Sequence, residues 1–241
     1  MEVRWLEQSL AEMGPETDWL SAAEVARLGN LRIPKRRQDW QLGRWTAKHA
    51  VAAYLQLPSD PSCLAAIEIR PAVSGAPEAF IDNEPAPVSI SLSHRDGRAA
   101  CAIAPAGTVL GCDLEVVEAR CGAFVADYFT IEERTLLARV PDGEQSRALA
   151  LLWSAKESTL KVLHTGLRLD PQCVAVTLGD DAGRIFAEPG PSSVLVQTWH
   201  GLGTCFEKRK FQGWWQCTGN FVRTLMSVPG SGSPMPLRSA S

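Results

Sequence analysis

The sequence predicts an α+β protein built from two similar α/β lobes, and three features carry that expectation. Two stretches, 39–57 and 147–164, place apolar residues at helical spacing. Several short segments alternate apolar and polar residues as strands do. A weak repeat joins the halves: Trp45-Thr-Ala-Lys48 recurs as Trp153-Ser-Ala-Lys156, and the segment from Cys63 recurs from Cys173, at offsets of 108 (45 to 153) and 110 (63 to 173) residues. A duplicated lobe leaves such marks. The expected division is an N-terminal lobe over 1–107, a C-terminal lobe over 108–228, and a Pro-, Gly- and Ser-rich tail over 229–241 without structure. A cleft between lobes is a usual place for a ligand.

In chain order, 1–33 starts with a short apolar stretch followed by helix and loop. Ser21-Ala-Ala-Glu24 has capping-box spacing and starts a helix. The basic run Lys35-Arg36-Arg37 precedes an amphipathic helix over 39–57, with Leu42, Trp45, Ala50, Ala53 and Leu57 on its apolar face and Pro58 as its stop. A strand is expected over 65–70, then loop or short strand over 75–84. Val88 to Ser93 alternates strictly and turns at Asp96-Gly97 into a second strand, 98–104. A third strand covers 109–116. Helices follow at 131–139 and 147–164, and strands at 173–178, 184–187, 193–199 and 214–222.

The chain has 241 residues, 45% of them hydrophobic, enough for a sizeable core. A net charge of −3 argues against wholesale nucleic-acid binding. No run of about 18 apolar residues suggests a membrane span, and the start MEVRWLEQSL lacks the pattern of a secretory signal. Seven cysteines form no C-x-x-C pair and are odd in number, which points to a reduced, cytoplasmic protein.

Four constellations bear chemistry. In Gly111-Cys-Asp-Leu-Glu115, Asp113 and Glu115 share one strand face while Leu110, Cys112 and Leu114 face the core. Adjacent carboxylates repel unless a proton or a cation lies between them, and a hard divalent ion satisfies the pair. Alone, a D-x-E strand is more often a solvated face. Trp153, Glu157 and Lys161 stand at i, i+4 and i+8 on one helical stripe. Glu before Lys is an ordinary surface pair, but a tryptophan on the same stripe suggests a partly buried wall. Ser93-His94 closes the alternating strand. It is no hydrolase dyad, since neighbours on a strand face opposite ways and no G-x-S-x-G surrounds the serine, yet both can bind phosphate oxygens. The basic set Lys35, Arg36, Arg37, Arg44 and Lys48 includes two residues one helical turn apart, suited to an anion or merely solvated.

Singly these signals are unspecific; their order is not. Ser91-Leu-Ser-His94, Gly111-Cys-Asp-Leu-Glu115, Phe129-Thr-Ile-Glu-Glu133 and Trp153-Ser-Ala-Lys-Glu157 through Lys161 together resemble the motif set of the 4′-phosphopantetheinyl transferases, most closely the larger pseudo-dimeric type. The resemblance spans about 35–178 and includes Leu42-Gly-Arg-Trp-Thr-Ala-Lys48. It implies two lobes related by pseudo-twofold symmetry, the first on the coenzyme A side and the second on the catalytic side. It implies magnesium, with manganese as an alternative, on Asp113, Glu115 and Glu157. Lys161 lies near the reacting phosphate, and Arg36, Arg37, Arg44, Lys48, Ser93 and His94 lie near coenzyme A. Glu133 matches an acid whose role varies. One departure stands out: Gly75-Ala76-Pro77 lacks the lysine of the family's G-K-P triplet, leaving Arg70 or Arg36 and Arg37 to replace it.

The implied reaction moves phosphopantetheine from coenzyme A to a serine of an acyl or peptidyl carrier protein of polyketide or nonribosomal peptide synthesis. Adenosine 3′,5′-bisphosphate leaves, and Glu157 or Glu115 is the base. The chain is expected to act as a monomer. Two rivals remain at this point, a coenzyme A-binding homologue that transfers nothing and a magnesium phosphohydrolase.

Overall fold

The computed structural model describes residues 2–178, 199–230 and 232–237. The chain divides into two compact units, Glu2–Leu110 with the chain end from Pro234, and Gly111–Ser233.

The first unit opens with β1 (Arg4–Ser9), where the sequence suggested only an apolar stretch. Helix α1 (Ala22–Asn30) starts at the expected capping box: the Ser21 hydroxyl accepts from Glu24 N at 3.3 Å, and the Glu24 carboxylate accepts from Ser21 N at 3.1 Å. Helix α2 (Pro34–Leu55) begins before 39, because Pro34 suits the first helical position, so the basic run forms its first turn. It ends ahead of Pro58, at Gln56 in a left-handed conformation (φ 58°). The Asp60 carboxylate accepts from Ser62 N and Cys63 N, which starts α3 (Pro61–Ala66) and shortens the expected strand to β2 (Ile67–Pro71). Next come β3 (Pro77–Ile81), β4 (Glu84–Pro85), β5 (Val88–Arg95) and β6 (Arg98–Pro105). Asp96 and Gly97 both have positive φ, 48° and 73°, the geometry of a two-residue hairpin that matches strand twist. Helix α2 packs across β6, β5 and β1. Ser91 and Ser93 are buried, so both faces of β5 are covered and its serines do not line a solvent face.

The second unit runs β7 (Leu110–Val116), α4 (Gly122–Tyr128), α5 (Ile131–Leu137), α6 (Gln145–Val162), β8 (Ala175–Leu178), β9 (His200–Phe206), β10 (Arg209–Thr218) and β11 (Phe221–Ser227). Its sheet has the order β7-β11-β10-β9-β8. The expected strand 214–222 is a hairpin that turns at Gly219 (φ 59°). The expected strand 184–187 and nearly all of 193–199 lie outside the described residues. Helix α6 lies on β11 through buried hydroxyls: Ser154 Oγ and Ser158 Oγ are 2.9 and 2.6 Å from Thr224 Oγ1, which also donates to Ser154 O.

The chain end rejoins the first unit as β12 (Met235–Pro236), parallel to β1 with Met235 opposite Arg4. The expectation of an unstructured tail is corrected at these residues. Met235 N and Leu237 N donate to Val3 O and Trp5 O at 3.0 and 2.7 Å. The first unit thus holds two sheets, β12-β1-β6-β5 and β2-β3-β4. No helix among the described residues is long and apolar enough to cross a membrane.

Candidate active site

Gly111 sets the site. A Cβ there would stand 2.0 Å from Ser158 O and 2.9 Å from Val162 N, so only glycine lets β7 lie this close to α6. Two residues on, Asp113 and Glu115 project from β7 with 5% and 9% exposure, which excludes a solvated strand face. Helix α6 is buried over most of its length, but in the stripe 153–157–161 Glu157 and Lys161 remain partly exposed. Lys161 Nζ donates to Asp113 Oδ1 and to Cys112 O, both at 2.8 Å. Trp153 Nε1 donates to Glu115 Oε1 at 3.1 Å. The structure therefore links Asp113 to Lys161 and Glu115 to Trp153.

Glu157 joins them electrostatically. Burial raises its carboxyl pKa to about 7, with the Asp113 and Glu115 carboxylates adding to the rise and Lys161 opposing it. Burial disfavours the Lys161 ammonium, but Asp113 and Glu157 more than offset this, and its pKa lies above the ordinary lysine value.

Sequence reading missed Arg120. Its Nη2 stands 3.4 Å from Glu115 Oε2 and 2.9 Å from Glu118 Oε1, and its guanidinium lies over the Phe124 ring at 5.0 Å. No periodicity marks it, because it lies in the loop between β7 and α4. Phe124 and Tyr128 of α4 stack against Trp153 at 5.0 and 5.1 Å between centroids. This aromatic wall backs Glu115.

Glu133 and Lys156 hold the frame. Glu133 closes a capping box with Thr130, accepts from Val176 N at 2.9 Å and pairs with Lys156 Nζ at 2.9 Å, all buried. Lys156 also donates to Pro171 O and Val174 O. Lys156, the partner of Glu133, stands one position before Glu157 on α6.

The coenzyme-side candidates fare unequally. Lys48 is fully buried; its Nζ pairs with Glu24 and donates to Trp19 O and Leu64 O at 2.9 and 3.0 Å. The expectation that it binds a coenzyme phosphate is corrected: three partners take its three protons inside the core. Arg44 is half-buried, lies over the Trp40 ring at 4.7 Å, and its Nη2 reaches Ile69 O at 3.5 Å. Arg37 donates to Leu28 O at 2.8 Å, and Arg36 is exposed. Ser93 is buried and His94 exposed, on opposite faces as a strand requires. Arg70 donates to Glu68 and Asn83.

The donor set of Asp113, Glu115 and Glu157 has the chemistry a hard divalent ion takes, carboxylate oxygens crowded enough to repel. Among the described residues no three His, Cys, Asp or Glu side chains already form a metal cage. In this arrangement cationic side chains stand on two of the acids, Lys161 on Asp113 and Arg120 on Glu115.

Residues 109–211 match the family model of the 4′-phosphopantetheinyl transferase superfamily. Asp113, Glu115, Glu157 and Lys161 all lie inside the segment that is similar to that superfamily. Its general activity is the transfer of phosphopantetheine. No curated protein matched the chain.

Proposed function

We propose that the chain transfers the 4′-phosphopantetheine arm of coenzyme A to a serine of an acyl or peptidyl carrier protein, releasing adenosine 3′,5′-bisphosphate. The observation that carries this reading is the Lys161 bond to Asp113 together with the charge coupling of Glu157 to Asp113, Glu115 and Lys161, within the segment similar to that superfamily. Asp113, Glu115 and Glu157 would hold magnesium, with manganese as an alternative. When bound, the ion neutralises charge on the pyrophosphate.

The side chains supply the rest. Lys161 sits 2.8 Å from Asp113 and carries a firm positive charge, suited to an oxygen that gains charge as the phosphoanhydride bond breaks. Glu157, with its carboxyl near neutrality, suits the uptake of the carrier serine's proton. Glu115 is the less suited base, since Trp153 and Arg120 already donate to it. Arg36, Arg37, Arg44, Ser93 and His94 in the first unit serve the coenzyme, while the second unit carries the chemistry. The protein acts as a monomer in the cytoplasm, on carriers of polyketide or nonribosomal peptide synthesis.

Incubation with coenzyme A, magnesium and an apo carrier protein tests the proposal by mass spectrometry. A carrier heavier by one phosphopantetheine supports transfer. An unchanged carrier with bound coenzyme A means a binding protein. Coenzyme A broken down without a carrier means a hydrolase.

A further inference from the structure

Arg120 has no part in the reaction above, yet its guanidinium stands on a carboxylate assigned to the metal. An arginine cannot lose its proton here, so its charge can be moved but not titrated away. A divalent ion reaching Glu115 therefore meets a cation already there. The Glu115 contact is the longer of two, 3.4 Å against 2.9 Å to Glu118. Glu118 is also the more exposed acid, 42% of its side chain against 11% for Glu115. The guanidinium itself lies over the Phe124 ring, and its shorter contact with Glu118 lets it give up Glu115 while Glu118 keeps it.

We propose that Arg120 is a resident cation that competes with the divalent metal for Glu115, and that Glu118 is the carboxylate to which it withdraws. This rests on the assignment of Glu115 as a metal ligand. Arg120 is a positioning residue: it acts on metal affinity through Glu115 and touches neither coenzyme nor carrier. The pair sets how much metal the site needs before it fills. In the metal-free protein, Arg120 and Trp153 together keep the Glu115 carboxylate in place, one on each oxygen.

Calorimetric titration of the full chain with magnesium chloride alone, without coenzyme A, tests this through a double-mutant cycle. Arg120→Ala should bind magnesium about fivefold more tightly than the wild type, the size expected of a partly exposed ion pair. Glu118→Gln removes the withdrawal site and should weaken binding about threefold in the wild-type background. In the Arg120→Ala background the same change should have almost no effect. A field effect of bare charges would make Glu118→Gln weaken binding equally in both backgrounds, and that additivity overturns the proposal. So does an Arg120→Ala variant with wild-type or weaker affinity. Arg120→Gln, which removes the charge and keeps a polar side chain, should reproduce the alanine result, and melting curves report whether each variant is folded. Magnesium binding by neither the wild type nor any variant overturns the metal assignment itself, and the competition with it. Binding by the wild type with no gain in Arg120→Ala overturns the competition alone.

Discussion

The two units contain the same internal frame, and the second sets Asp113, Glu115 and Glu157 beside it. In the first, Glu24 closes the capping box of α1, accepts from Ile69 N and pairs with Lys48. In the second, Glu133 closes the capping box of α5, accepts from Val176 N and pairs with Lys156. Each lysine donates to two backbone carbonyls, Lys48 to Trp19 O and Leu64 O and Lys156 to Pro171 O and Val174 O, and lies beside an aromatic ring, Trp19 or Phe129. Burial lowers both lysine pKa values, against the pull of the paired glutamate. At the next helical position the units part. After Lys48 stands His49, packed on Trp45 at 4.0 Å, and after Lys156 stands Glu157. At the repeat offset of 108 residues, Trp5 and Glu7 of β1 fall opposite Asp113 and Glu115 in the sequence. The repeated Trp-x-Ala-Lys motif therefore marks a structural frame, and function lies in the residues beside it.

If the frames are equivalent, breaking either ion pair should unfold the protein to a similar degree. Lys48→Ala and Lys156→Ala each leave a buried carboxylate without its cation, at a cost of about 3–5 kcal/mol. Urea unfolding measures both. A Lys48→Ala loss below about 1 kcal/mol would remove the first unit's frame and return Lys48 to the candidates for coenzyme binding.

The chemistry should be as one-sided as the frame is shared. Asp113→Ala should lower turnover at least about 10²-fold, in the range seen when a preorganised charge is removed from a transition state, and leave the fold intact. Glu7→Gln, which falls opposite Glu115 at the repeat offset of 108 residues, should leave turnover within about twofold, because Glu7 pairs with Arg98 of the neighbouring strand β6 (3.1 Å), an ordinary partly exposed ion pair. Steady-state assays with an apo carrier compare them. Near-wild-type turnover in Asp113→Ala at limiting magnesium would end the metal assignment.

Much of this was legible in the sequence where local rules decide. Ser21 and Glu24 announced α1, Asp96-Gly97 announced the β5–β6 hairpin, and the stripe 153–157–161 announced the open side of α6. Long-range pairing was not legible. Nothing near Lys48 distinguishes it from a surface lysine, since Glu24 reaches it from another helix. Strand β9 hides behind Gly201 and Gly203, which break the alternation. Helix α4 has no capping side chain at Cys121, and it covers Trp153 by contacts that only tertiary structure supplies. Arg120 was invisible for the same reason.

The divergent position also predicts opposite responses to pH. Below about pH 4.5, Glu157 is protonated in the folded and the unfolded chain alike and has no effect. As pH rises from there to about 7, the unfolded chain ionises first, so stability of the metal-free protein falls. The loss approaches about 3 kcal/mol by pH 8. Burial lowers the pKa of His49, so the unfolded chain takes up that proton first as pH drops, and stability falls on the acid side. Glu157→Gln should flatten the alkaline slope in the metal-free protein, and His49→Gln the acid slope. Thermal melts across pH 4 to 8.5 read both slopes, and an unchanged alkaline slope in Glu157→Gln would refute the crowding of the three acids.

The smallest effect is expected at Arg44, one helical turn before Lys48 but on the half-buried side of α2. Its guanidinium lies over Trp40, and its bond to Ile69 O is long, at 3.5 Å. Those contacts together contribute about 1 kcal/mol to folding, far less than the Lys48 pair. The remaining donors of a planar guanidinium suit a phosphate. With Lys48 withdrawn into the core and no lysine at position 76, Arg44 and the exposed Arg36 are the cations proposed in this unit for the 3′-phosphate of coenzyme A. Arg44→Ala should raise the Michaelis constant for coenzyme A about fivefold and leave that for the carrier within about twofold. With 3′-dephospho-coenzyme A the penalty should shrink toward none, because the group being held is missing. Equal penalties with both coenzymes would make Arg44 a frame residue like Lys48, and the coenzyme side would then rest on Arg36, Arg37 and His94.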